Sequence, residues 1–177
     1  MKKIKVETTA LLKPFKYHNQ IKENLLSKIN NSYNDNLNVK DQYYGDQIHR
    51  LDWSKNLDYS REWIQLVKPK LEEHFYECAN NLNYQSCEVR GMWYQQYTKN
   101  NTHGWHIHGE NYTGVYYLEM NHGSPATEIY DGDKVIQPEV NEGELCIFPS
   151  TIIHRAPSFA TDARKTIISF NTSYGLL

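Results

Sequence analysis

The sequence predicts a mainly β protein, an antiparallel sandwich or barrel of the jelly-roll type braced on one face by two N-terminal helices. Two observations predict this. Helical periodicity is confined to residues 1–86, and from Cys87 onward the chain breaks into short β-rich runs divided by the turn sequences NHGSP, DGD and NEG. About seven such runs in some ninety residues fit antiparallel strands better than alternating βα units, which need a helical period between strands.

The elements follow in chain order. A short strand is expected over residues 4–12. A helix over residues 19–30 is expected from Ile21, Leu25 and Ile29 at i, i+4, i+8, an apolar stripe that needs a surface to cover. The Asn-rich stretch NNSYNDNLNVKDQYYGDQ is interrupted by Tyr43, Tyr44 and, just beyond it, Ile48, and is expected as an ordered surface loop rather than a linker. A second helix carries Trp63, Val67, Leu71, Phe75, Cys78 and Leu82 at steps of three and four, with Pro69 starting or kinking it. The strand candidates are CEVRGMWYQQY, TGVYYLEM, TEIYD, KVIQPEV, ELCIFPS, TIIHRAP and RKTIISFN.

Composition bounds the rest. A chain of 177 residues and 20.9 kDa falls in the single-domain range, so one domain is expected: helical support in residues 1–86 and a β core in 87–177. With 39% hydrophobic and 13% aromatic residues but a mean hydropathy of -0.76, the core is carried by aromatics and short β-branched stretches. A net charge of -2 and a pI near 6.4 remove the bulk basic binders of nucleic acid and anionic lipid, leaving anion recognition to local groups. Glu7 and Lys13 interrupt what would have to be the apolar part of a signal peptide, and no run approaches the ~20 apolar residues of a membrane span. Cys78, Cys87 and Cys146 lack a CxxC spacing and read as free thiols, so a cytoplasmic setting is expected.

The chemistry-bearing signal is a histidine cluster. Three of the eight histidines fall within six residues in NNTHGWHIHG, and His154 stands in FPSTIIHRAP. On an extended strand residues i and i+2 share a face, so His106 and His108 can aim two imidazoles at one point while Ile107 points away. An isolated HxH pair is commonly surface decoration, and an isolated histidine commonly satisfies a core hydrogen bond. Here the pair opens an apolar strand, and a third imidazole arrives from a distant one. Three neutral nitrogens on one face of a metal leave positions open to reacting ligands.

In this order, HIHG, TGVYYL, GELCIFPSTIIH and RKTIISFN resemble the 2-oxoglutarate/Fe(II)-dependent oxygenase superfamily on its double-stranded β-helix fold, in particular its small HxH...H...RxT members, over roughly residues 92–174. Members often carry a tyrosine nine residues before the first metal ligand, as Tyr97 stands before His106. The resemblance implies that His106, His108 and His154 hold Fe(II) and that 2-oxoglutarate and O2 are co-substrates. The primary substrate is unspecified, and hydroxylation is the commonest outcome. It further implies that Arg164, with Thr166 on the same face, pairs the far carboxylate of 2-oxoglutarate, and that the Tyr97 hydroxyl shares one of its carboxylates.

One departure is that His108 stands where the commonest triad has Asp or Glu. Three neutral ligands leave the metal more positive, which favours an anionic chelator. A competing set, His108, Glu110 and His154, restores a carboxylate. His103 is expected at the entrance, and His18, His49, His74 and His122 have no metal-ligand context. Trp93, Tyr94, Trp105, Tyr112 and Tyr130 are candidates for a substrate pocket. Two other readings stay open: a cupin-type metal enzyme without 2-oxoglutarate, whose second motif GELCIFPSTIIH also fits, and a non-enzymatic jelly-roll binding or assembly protein.

Overall fold

A computed structural model describes residues 2, 4, 6–32, 36–121 and 123–176. The elements are β1 (Leu11–Pro14), α1 (His18–Asn30), β2 (Asn36–Asp41), β3 (Asp46–Leu51), a short 3-10 turn (Trp53–Lys55), α2 (Glu62–Asn81), β4 (Ser86–Tyr97), β5 (His103–His106), β6 (Tyr112–Glu119), β7 (Glu128–Tyr130), β8 (Val135–Ile136), β9 (Glu144–Pro149), β10 (Ile153–Ala156) and β11 (Lys165–Gly175). Among the described residues no helix is long and apolar enough to cross a membrane.

Every strand pairing is antiparallel. Seven strands form a large sheet in the order β1-β9-β6-β11-β4-β3-β2, and four form a small sheet in the order β5-β10-β7-β8. The central strands of the large sheet are buried on both faces, which is why GVYYL and ELCIF read as continuous apolar runs. Period two sorts their residues. Met92, Tyr94, Tyr116, Leu118, Leu145, Ile147, Ile168 and Phe170 join the core beneath the helices, where Ile21, Leu25 and Ile29 of α1 and Trp63, Val67, Leu71 and Phe75 of α2 cover them. Tyr97, Val115, Tyr117, Cys146, Phe148 and Ile167 face the other way, into a second core shared with Ile129 and Ala156 of the small sheet.

Three sequence expectations change. The first strand occupies residues 11–14 rather than 4–12, and Lys5 within the expected span lies outside the described residues. The Asn-rich stretch is a β-hairpin, β2 and β3, that extends the large sheet beside β4; Tyr33, Asn34 and Asp35 lie outside the described residues. It shows no alternation because β2 is an edge strand, exposed on both faces except at the half-buried Val39. The N-terminal segment therefore supplies strands β1, β2 and β3 as well as the two helices. Pro69 neither starts α2 nor ends it. It sits in the helix interior on an exposed position, where water can solvate the Gln65 carbonyl that lacks an intrahelical donor.

Gly114, in the middle of β6, has no room for a side chain. A Cβ there would stand 2.6 Å from the Phe170 ring and 2.7 Å from the Cys146 carbonyl oxygen. Gly114→Ala is expected to destabilise the protein by about 1–3 kcal/mol through overpacking, read as a lower urea midpoint at unchanged m-value.

Candidate metal centre

β5 and β10 are neighbours in the small sheet, with His106 directly opposite His154. β5 ends at His106, and His108 follows two residues later, its backbone N–H donating to the Ser150 carbonyl at 3.0 Å. Ile107 between them is exposed. The ring centroids of His106 and His154 are 4.3 Å apart, those of His106 and His108 5.0 Å, and those of His108 and His154 5.1 Å. One nitrogen from each ring lies within 4.8 Å of the others, and no other trio of histidine, cysteine or carboxylate side chains converges so among the described residues.

The local backbone sets which nitrogen is free. His106 Nδ1–H donates to the Gly104 carbonyl at 2.7 Å, and His154 Nδ1–H donates to the Ile152 carbonyl at 2.9 Å. Each Nε2 is then left with its lone pair, the arrangement that a metal-ligating histidine uses. His108 Nε2 and His154 Nε2 face each other at 3.3 Å. Two ring nitrogens so placed need a shared proton or a cation between them. Burial pushes the pKa of His108 and His154 down to about 3 and lowers that of His106, so the neutral, coordinating form prevails at ordinary pH. The donor set fits a first-row divalent metal.

The wall opposite the histidines comes from one face of the large sheet. Trp93, Gln95 and Tyr97 of β4, Thr113 and Val115 of β6, and Ile167 and Ser169 of β11 line it at alternate positions. Tyr97 is 1% exposed, and among the described residues its hydroxyl has no hydrogen-bond partner. Lys165 pairs with Tyr97 across β11 and β4, and its ammonium lies 5.3 Å from the Tyr97 ring centroid. It is buried, donates to the Pro125 carbonyl at 2.7 Å, and is held by burial at a pKa of about 8.

Arg164 and Thr166 do not reach this wall. They share the parity of Ile168 and Phe170, which lie under the helices. The Arg164 guanidinium makes two hydrogen bonds to the Glu119 carboxylate, at 2.8 and 3.0 Å, and a third to Asn30 at the end of α1. The Thr166 hydroxyl donates to the same carboxylate at 2.6 Å and accepts from Gln96. On β11 the cation that shares the parity of Ile167 and Ser169 is Lys165, which sequence reading passed over, while Arg155 of β10 also lines the pocket and pairs with Glu128. The parity of Lys165 with the apolar Ile167 and with Ser169 was the available signal, but it could be read only with the face of the metal already known.

The other candidates divide as follows. Glu110 accepts from the Ser173 hydroxyl at 3.0 Å and is outside the cluster. His103 lines the pocket, its ring tilted against that of His106. His18 and His74 pack against Tyr116 and Phe15 near the helices, His49 lies on β3, and His122 is outside the described residues. Of the five aromatics, Trp93 lines the pocket. Tyr94 and Tyr112 belong to the core under the helices, and Trp105 and Tyr130 are partly exposed on the outside of the small sheet.

No protein-family model matches the chain, and no curated protein matches it in sequence. Solved structures do match in shape. A prolyl hydroxylase from Trichoplax adhaerens, in complex with a hypoxia inducible factor oxygen degradation domain peptide fragment, aligns over 94% of this chain and 83% of its own at 16% identity and a TM-score of 0.64. The fold is the double-stranded β-helix. A viral collagen prolyl hydroxylase from Paramecium Bursaria Chlorella virus-1, solved as a 2-oxoglutarate complex, covers 95% and 96% of the two chains at 11% identity and a TM-score of 0.61. HygX from Streptomyces hygroscopicus, with nickel and 2-oxoglutarate bound, covers 94% and 83% at 11% identity and a TM-score of 0.63. At these identities the likeness is one of fold.

The buried histidines couple stability to pH. His103, His108 and His154 have folded pKa values near 3 against 6.5 for a free histidine, so between these limits the unfolded chain binds more protons. Stability of the metal-free protein is therefore expected to fall as pH drops from about 6.5 toward 3, seen as a declining urea midpoint. Saturating Ni(II) at pH 7 should raise the midpoint.

Proposed function

We propose that the protein is an Fe(II)- and 2-oxoglutarate-dependent oxygenase that hydroxylates a C–H bond of a primary substrate. The observation that carries this reading is the convergence of three imidazoles opposite a wall that includes Tyr97, whose hydroxyl has no partner among the described residues and whose ring centroid lies 5.3 Å from the buried Lys165 ammonium. Two proteins of the same fold hold 2-oxoglutarate, one of them together with nickel, which supports the same pair of ligands here.

In this reading His106, His108 and His154 hold Fe(II) on one face and leave the opposite face open. When bound, iron and 2-oxoglutarate supply the oxidising chemistry, O2 and 2-oxoglutarate being consumed to give succinate, CO2 and the hydroxylated product. The protein orients and desolvates. Lys165 and the Tyr97 hydroxyl receive the far carboxylate of the co-substrate, an anion whose burial would otherwise cost several kcal/mol. Three neutral ligands keep the metal more positive than a carboxylate-containing set would and so favour an anionic chelator. Arg164 is committed to Glu119 and takes no part. The three cysteines are free thiols, which supports a reducing, cytoplasmic setting.

The test is an anaerobic Fe(II) titration with and without 2-oxoglutarate, followed by its visible absorption. His154→Ala is expected to abolish metal binding and Glu110→Ala to leave it intact. Lys165→Ala and Tyr97→Phe should each raise the 2-oxoglutarate requirement at least roughly tenfold, about 1.4 kcal/mol, with metal binding retained, whereas Arg164→Ala should leave both unchanged. Because Lys165 loses its proton above a pKa of about 8, co-substrate affinity should weaken as pH rises past that value. A wild type with no absorption change dependent on 2-oxoglutarate and no consumption of it would overturn the assignment.

A further inference from the structure

His103 has no part in the metal set, yet it lies in the pocket beside it. A bulge brings it there. On β5 and β10, His106 faces His154 and His103 faces Ala156, so three steps along one strand span two along the other. Residues three apart on a regular strand point to opposite faces; the extra residue turns His103 and His106 to the same side. The bulge is closed from outside by the turn between β2 and β3. The Asp46 carboxylate accepts the Gly104 N–H at 3.0 Å, and a Cβ on residue 104 would stand 1.3 Å from the Tyr44 carbonyl oxygen, so only glycine admits this approach.

The bonding of His103 excludes it as a ligand and suits it to another task. The Ser169 hydroxyl donates to Gln95 Oε1 at 3.1 Å, which turns the Gln95 amide NH2 toward His103 Nδ1 at 3.0 Å. With the Nδ1 lone pair taken, the ring proton sits on Nε2 and the neutral imidazole has no lone pair left for a metal. Its ring instead packs on His106, with centroids 3.9 Å apart and an interplanar angle of 43°. The Nδ1–H of His106 is tied to the Gly104 carbonyl, a bond that fixes one edge of the ring but lets it pivot about that edge.

We infer that His103 is a positioning residue for the metal site: packed against the His106 ring and anchored across the pocket by Gln95 and Ser169, it stops the His106 ring from pivoting and fixes the direction of its Nε2 lone pair. The inference rests on the metal-binding reading above and assigns the ring contact, rather than the hydrogen bond alone, as the effective contact. Histidine serves because it offers both a flat ring and an acceptor for the Gln95 amide.

Cobalt(II) binding by the full chain tests this, with affinity from calorimetry, the visible spectrum of the bound ion, and the melting temperature of each metal-free variant. His103→Ala removes ring and acceptor. His103→Asn keeps an acceptor for Gln95 but no ring, and His103→Phe keeps a ring without an acceptor. The expected result is that the Ala and Asn variants lose about 10–100-fold in affinity and show an altered spectrum, while the Phe variant, which keeps the ring but not the anchor, loses clearly less than either. The inference is overturned if the Ala and Asn variants match wild type, if the Phe variant loses as much as the Ala variant, or if the losses merely follow the fall in melting temperature. A wild type that binds no cobalt(II) would instead overturn the metal-binding reading, and this inference with it.

Discussion

The central strands of the large sheet are covered on both faces, by helices on one side and by the small sheet on the other, and the placement of each candidate residue follows from the face it occupies. On β11, Ile168 and Phe170 must lie under α1 and α2, because that is where their apolar area can be buried against Phe75 and its neighbours. Thr166 is carried to the same side by parity, and Arg164 follows. Lys165, Ile167 and Ser169 are carried to the other. A one-residue slip would exchange the two sets and expose the helix-facing core, so the hydrophobic pattern locks the register that puts Lys165 rather than Arg164 on the face of β11 turned away from the helices.

The two polar networks differ in consequence. On the helix side Arg164, Glu119, Thr166, Gln96 and Asn30 satisfy one another and tie the end of α1 to the sheet. A buried Asp52 does similar work nearby, accepting from Arg61, from the Trp63 indole and from the Tyr94 backbone. On the pocket side Tyr97 is left with a buried hydroxyl and no partner among the described residues, an unmet bond worth roughly 1–3 kcal/mol in other proteins. An unmet bond beside a buried cation is the kind of local cost that a ligand can offset.

Dryness and neutrality are linked at the histidines. Burial disfavours the imidazolium form, while backbone carbonyls two residues upstream hold Nδ1–H on His106 and His154. For His106 and His154 both effects act without a metal, so these two rings need neither lose a proton nor change tautomer to coordinate one. In both cases the acceptor is the carbonyl two residues upstream, Gly104 within β5 and Ile152 just before β10.

Much of this was legible in the sequence for plain physical reasons. The i, i+4 stripe of α1 and the three-and-four stripe of α2 record burial on one side only, and the apolar runs in β6, β9 and β11 record burial on two. Histidines at i and i+2, with a third after a turn, record convergence through the alternation of an extended chain, although β5 itself ends at His106. The hairpin β2–β3 left no such record, since an edge strand exposed on both faces is under no pressure to alternate. The placement of Lys165 left none either: a strand buried on both faces alternates between two cores that look alike in composition, and only packing against the helices says which parity faces the small sheet. His103 needed still more, because a bulge breaks the very period from which its direction would have been read, and bulges are set by how two distant strands and a hairpin turn meet.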